Sequence, residues 1–273
     1  MSCIRRWAVV LILSALCFPR VSAQAPAPAA KSSRDGLQLL HKMQNALGGA
    51  EKIAAIRDYE ETVRAETWFD KGAPWGEARK RTRWMQSPNL LRLDQKGPRD
   101  TYVLYFDGDS GSGWEMLPDV TNPDKFKTMG EAIDLVGDEL KFAKGYISGF
   151  QFNVWLADRT PGFVLTSPAP NVLRIEHDGS ATDFMLDAAT SLPVKTVDVP
   201  SPKAERPVSS EMHYEGWTEV AGVRFPTHRT LYHNTVKVAD MTSEEPLRVN
   251  VGLRPQDLAA KPADFAPDMP SRR

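Results

Sequence analysis

The sequence predicts a mainly β fold with added helices (α+β), on three observations. From Tyr59 to Val251 most of the chain reads as period-2 segments separated by Gly, Pro and Asn/Asp turn signals. Two segments, residues 33–47 and 129–145, instead carry apolar side chains at helical spacing. The stretch Tyr102–Leu117, YVLYFDGDSGSGWEML, puts large apolar groups on both faces of its first strand. A strand apolar on both faces is covered on both sides, which places this one near the middle of the sheet.

The chain has 273 residues, 34 basic and 35 acidic side chains. One all-β or barrel-type domain accommodates that length. Arg5 and Arg6 precede an apolar run, Trp7–Phe18, and Val21-Ser22-Ala23 follows it. A charged region, an apolar run and a small-residue site together predict a secretory signal peptide over residues 1–23, cleaved near Ala23. The competing reading is an uncleaved anchor, against which stand the short run and the Arg20 that closes it. Cys17 follows the bulky Leu16, so it is a poor site for lipid attachment. Cleavage would remove both cysteines, Cys3 and Cys17, and leave 31 basic against 35 acidic side chains. Disulfides, thiolate metal sites and Cys nucleophiles are then excluded, and near-neutral charge argues against nucleic acid. The expected location is the periplasm.

Residues 24–33, QAPAPAAKSS, read as a Pro/Ala tether. A helix follows with Ser33 as N-cap, Asp35 in its first turn and Leu37, Leu40, Gln44 and Leu47 on one face. Gly48-Gly49 ends it, and a short helix over residues 50–56 leads into the first strand. Strands are predicted at 59–69, 77–86, 90–95, 102–106 and 114–117. Ile133, Val136 and Leu140 then predict a helix over residues 129–145, interrupted at Gly137. Tyr146–Leu156 is ambiguous between strand and apolar loop. Strands resume at 171–177, 181–187, 193–199, 208–219, 223–233, 236–241 and 247–251. The set amounts to about ten strands, the size at which open sheets curl strongly. Pro226 inside a strand predicts an edge or a bulge there.

Two-residue turns fix the faces of two hairpins. In the first, Leu173 opposes Phe184, Ile175 opposes Thr182 and Arg174 opposes Asp183. In the second, Met212, Tyr214, Phe225 and Leu231 share one face, with His213, Glu215, His228, Thr230 and Tyr232 on the other. The sheet therefore has a wet outside and an apolar inside.

Catalytic motifs do not hold up. Gly108-Asp109-Ser110-Gly111 resembles a serine nucleophile loop, but the only upstream His of the mature chain, His41, lies on a helix in the wrong context. The Asp107-x-Asp109 pair lacks the remaining ligands of a calcium loop. His213, Glu215 and His228 offer a possible metal set, against the simpler reading of polar cross-strand pairs. The run Arg79-Lys80-Arg81 with Arg83 alternates over both strand faces and reads as a solvated or edge strand. No catalytic residue, cofactor or metal is therefore assigned. What remains is aromatic and Met density on one sheet face. The candidates to line an apolar cavity are Trp68, Trp84, Leu91, Leu93, Tyr105, Trp114, Met116, Phe184 and Tyr214, with a dry core as the alternative.

Four pieces carry a resemblance: Ala46–Lys52 running into the first strand, Ser87-Pro88 with Leu91-Arg92, Phe106-Asp107-Gly108 with Gly113-Trp114, and Gly222–Pro226. Together they resemble the exported lipoprotein-sorting proteins typified by the LolA and LolB carriers, over residues 37–260. The resemblance implies an unclosed antiparallel β half-barrel, with N-terminal and mid-chain helices as a lid over a cavity for acyl chains. It implies a domain over 34–260, followed by a disordered tail at 261–273. The segment around residues 119–145 is longer than such carriers have. The expected function is a monomeric periplasmic carrier of lipid or lipidated protein, not an enzyme, with envelope membrane proteins as possible partners. The alternatives are a metal-dependent hydrolase using His213, Glu215 and His228, or a protein-interaction module.

Overall fold

The computed structural model describes residues 31–69, 71–97, 101–118, 129–199 and 209–262. The expected signal peptide, most of the tether, residues 119–128 and nearly all of the tail lie outside the described residues.

The chain begins with α1 (Arg34–Leu47), where the Ser33 hydroxyl accepts the Gly36 N–H at 3.0 Å. Its buried stripe is Gly36, Leu40, Met43, Gln44 and Leu47. Gly36 lets the helix settle on the sheet, because a Cβ there would come within 2.6 Å of the Leu165 backbone. The helix ends at Gly48 with φ of 123°, a backbone that L side chains rarely adopt. Short α2 (Ala50–Ala54) follows.

Two antiparallel meanders make the sheet. The first is β1 (Asp58–Trp68), β2 (Pro74–Met85), β3 (Leu90–Lys96), β4 (Tyr102–Asp107), β5 (Ser112–Met116) and β6 (Ile133–Asp134). The second is β7 (Val164–Ala169), β8 (Val172–His177), β9 (Ser180–Leu186), β10 (Pro193–Val199), β11 (Ser210–Val220), β12 (Val223–His233) and β13 (Val236–Ser243). β14 (Arg248–Val249) adds beside β1. The β1–β13 pairing joins the meanders into one 14-stranded sheet whose edges are β6 and β7. It is an unclosed half-barrel.

Between those edges the chain crosses as α3 (Gly137–Ser148) and α4 (Gln151–Trp155). α1, α3 and α4 pack on a single sheet face, here the inner face. Its core includes Leu40, Met43, Leu47, Trp84, Phe106, Ile147, Phe152, Leu173 and Phe225. Short α5 (Pro255–Ala259) lies against the outer face, where Leu258 packs with Met85 and Leu90.

Several expectations change. Residues 129–145 are not one interrupted helix: Ile133 and Asp134 pair with β5, and the helix begins only at Gly137, whose φ is 57°. The ambiguous Tyr146–Leu156 is helical, completing α3 and forming α4. The alternation reading lacks β7, where Pro168 and a register irregularity between Thr166 and Ala169 break the pattern. β4 is third from the β6 edge rather than central. Its outer residues are covered by Met129, Trp114 and Met116, so covering on both faces did not require a central position.

Both predicted hairpin registers occur, including Leu173↔Phe184, Arg174↔Asp183 and Glu215↔His228. Pro226 pairs with Trp217 beyond His228, the last β12 residue paired with β13, so no ladder partner is lost on that side.

Candidate functional site: the inner face and its cleft

Strand alternation gives the inner face its chemistry. Tyr59, Glu61 and Val63 of β1, Lys80, Thr82 and Trp84 of β2, and Leu91 and Leu93 of β3 point the same way by register. Under α4 this face is filled. Phe152 lies 4.9 Å from Trp84, 5.6 Å from Tyr59 and 6.0 Å from Phe225, between ring centroids.

Beside this aromatic layer runs a polar row. Glu61 accepts from Tyr59 Oη at 2.6 Å, from Ser243 Oγ at 2.6 Å and from Arg229. Burial opposes ionisation of Glu61, but Arg229 outweighs it, aided by the Ser243 and Tyr59 hydroxyls, and the carboxyl is held below its ordinary value. Burial equally opposes the Arg229 charge, and Glu61 overcomes it. Lys80 donates to the Tyr146 hydroxyl of α3 at 2.9 Å, tying the helix to the sheet.

Toward the β7 edge the helices and sheet part. A cleft of about 810 Å³ lies between α3 and strands β8–β11. Leu140, Val154, Phe163, Ile175, Phe184 and Tyr214 supply its apolar surface. Lys141, Lys144, His177 and Asp198 supply polar groups. Asp198 is exposed, and partial desolvation by the surrounding cleft raises its carboxyl above its ordinary value. A smaller pocket of about 90 Å³ shares Gly149, Val154, Phe184 and Tyr214 with the cleft and adds Gln151, Trp217 and Arg229.

The nine residues expected on one face are divided. Trp84, Leu91 and Leu93 are inner and fully packed, at 2%, 0% and 0% exposure. Phe184 and Tyr214 line the cleft. Tyr105, Trp114 and Met116 lie on the outer face, where Tyr105 stacks on Trp114 at 5.6 Å and Lys261 lies over the Trp114 ring at 5.7 Å. Trp68 is half-buried near the end of β1 with Lys237 over its ring at 4.2 Å. The physical reason is parity: Tyr105 and Phe106 are neighbours on one strand and must face opposite ways. The sequence reading missed Phe150, Phe152, Val154 and Trp155 as inner-face residues, and Arg229 and Gln151 as polar ones. Their aromatic run was visible, but its secondary structure was not.

The loop at Gly108–Gly111 is a turn. The Asp107 carboxylate accepts the Asp109 and Ser110 N–H groups at 2.9 and 3.1 Å. Ser110 Oγ bonds Ser112 Oγ at 2.7 Å, and His177, across an open groove, bonds its neighbour Asp178 at 3.3 Å. The proposed metal set does not converge either. His228 Nε2 meets Asp240 at 2.6 Å and its Nδ1 meets Glu215 at 3.3 Å, whereas His213 turns to Glu211. Among the described residues no group of three or more acidic, His or Cys side chains is placed to hold a metal. Nor, among them, is any helix long and apolar enough to cross a membrane.

Arg79, Arg81 and Arg83 lie on the outer face and pair with Glu244, Glu60 and Asp94, leaving only Lys80 of that run inside.

No protein-family model and no curated protein matches the chain. Solved structures do. A domain described as an outer membrane lipoprotein-sorting protein from Vibrio parahaemolyticus superposes with a TM-score of 0.51 at 14% identity, covering 82% of this chain and 96% of that one. A DUF1329 family protein from Desulfovibrio piger superposes with a TM-score of 0.57 at 12% identity, covering 84% and 98%. At these identities the likeness is one of fold. The half-barrel with helices across its inner face is thus a fold that this chain shares with that lipoprotein-sorting domain and that DUF1329 protein.

Proposed function

We propose that the protein is a non-enzymatic carrier or binder of an apolar ligand, such as lipid or the acyl chains of lipidated protein, in the cell envelope. The observation that carries this reading is the cleft of about 810 Å³ between α3 and β8–β11, walled by Leu140, Val154, Phe163, Ile175, Phe184 and Tyr214. That volume lies within the range of small-molecule sites. Each methylene removed from water contributes about 0.8 kcal/mol, so an acyl chain of a dozen carbons gains of order 10 kcal/mol before association costs.

Burial favours α3 over α4 as the lid element that moves. α4 buries Phe152, Val154 and Trp155, whereas α3 buries only Ala143 and Ile147 and leaves Phe142 at 54% exposure. At about 2 kcal/mol per large buried apolar side chain, and less for the small Ala143, α4 is held by roughly 6 kcal/mol and α3 by roughly 3 kcal/mol. α3, held to the sheet by less apolar burial and by the Lys80–Tyr146 hydrogen bond, is taken as the gate, and Trp84, beneath α4, contacts ligand only if that anchor also lifts. The fold supports an envelope carrier of lipid or lipoprotein, with export by the expected signal peptide.

The test is native mass spectrometry of protein purified from its own host, which should show bound lipid. Leu140→Asp, on the half-buried wall of the cleft, should reduce the bound fraction at least tenfold. Protein without lipid, and without affinity for added fatty acid or phospholipid, would exclude the reading.

A further inference from the structure

The small pocket beside the cleft is chemically one-sided. Arg229 Nε and Gln151 Nε2 are both buried, and neither has a hydrogen-bond partner among the described residues. Both side chains line the same space of about 90 Å³. Around them stand Trp155, Pro193, Trp217 and Pro226, and among the described residues no acidic side chain lines it. Two buried donors without acceptors cost free energy unless something supplies the oxygen.

We propose that this pocket is a subsite for an uncharged carbonyl oxygen, an ester or amide, at the head of the chain held in the cleft. The inference rests on the carrier reading and adds a recognition element to it. Continuity supports it, because Gly149, Val154, Phe184 and Tyr214 border both spaces. A chain lying along Phe184 and Tyr214 thus brings its carbonyl end to the two donors. Charge decides the class. Arg229 already has its counter-charge in Glu61, which is 4% exposed and also bonded by Tyr59 and Ser243. A second carboxylate would place two negative groups on one guanidinium in an apolar surrounding, whereas a carbonyl satisfies the donors without added charge. The pocket is also large enough to hold water, and that is the competing occupant.

The experiment compares methyl dodecanoate, N-methyl dodecanamide, dodecanoate and tridecane as competitors of a fluorescent apolar dye at pH 7.5. The ester or the amide should bind about tenfold more tightly than the alkane, from two hydrogen bonds. Gln151→Leu should cut that margin to about threefold and leave alkane binding intact. Which of the two binds more tightly separates an ester-linked from an amide-linked chain. Equal binding of ester, amide and alkane would mean that the pocket holds only water, and would overturn the subsite while the carrier reading stands. Tighter binding of dodecanoate than of either carbonyl compound would overturn the uncharged class. Binding of none of the four would remove the carrier reading, and the subsite with it.

Discussion

Arg229 on β12 reaches past β13 to the Glu61 carboxylate on β1, and Ser243, on the strand between them, donates to the same Glu61 oxygen at 2.6 Å. This contact spans the seam where the two meanders join. Removing one partner leaves the other charge buried and unpaired, so Glu61→Ala should cost about 3–5 kcal/mol in urea unfolding. Replacing the pair by Glu61→Gln with Arg229→Met should cost less than either single change, and a double-mutant cycle would measure the coupling. The Glu61 carboxyl is held below its ordinary value, so its stabilisation is present above the unfolded-state value. It fades as pH falls through the folded one. Acid unfolding of the Glu61→Gln variant should therefore be flatter below about pH 4.

His228 is the outer-face counterpart. Its hydrogen bond to Asp240, with a weaker one to Glu215, raises its affinity for a proton. A raised folded value means the stabilisation is complete below the unfolded value near 6.5 and is lost as pH rises through the folded one. The group is partly exposed, so the effect should stay below about 1 kcal/mol. An NMR titration should place its midpoint above that of an ordinary histidine, and Asp240→Asn should bring it down.

Trp114 separates the two faces experimentally. Trp114→Ala should cost about 3 kcal/mol by removing a buried aromatic, yet leave ligand affinity unchanged because Trp114 lies on the outer face. Loss of binding at retained fold would contradict the placement of the cleft on the inner face.

Gly48 is fixed by geometry. An alanine Cβ there would sit 2.1 Å from the Gly222 carbonyl oxygen, at φ of 123°. Gly48→Ala should lower stability by about 2 kcal/mol or more, measurable by thermal unfolding. Gly145→Ala, inside α3 with open space around the new methyl, should raise it by up to about 1 kcal/mol.

Local chemistry made much of this fold legible. The Ser33 cap, the Gly48-Gly49 stop and the Leu173↔Phe184 and Glu215↔His228 registers follow from neighbours within a few residues or across a tight turn. The resemblance carried by Ala46–Lys52 and Gly222–Pro226 pointed to the same half-barrel. The candidate site was less legible. Alternation says that Tyr105 and Phe106 face opposite ways but not which way is inward. Trp114 was therefore placed in the cavity that Phe184 and Tyr214 border. The helicity of Phe150–Leu156 was hidden because aromatic residues suit a strand as well as a buried turn.

The sequence by itself determined most of the strands, the caps of α1 and the registers of the β8–β9 and β11–β12 hairpins, because those are set by short-range sterics and hydrogen bonding. Tertiary structure alone decided the β1–β13 seam, the crossing of α3 and α4 from edge to edge, and the meeting of Arg229 with Glu61 across 168 residues of chain. Such contacts depend on which faces are buried together, and face assignment is a property of the whole sheet.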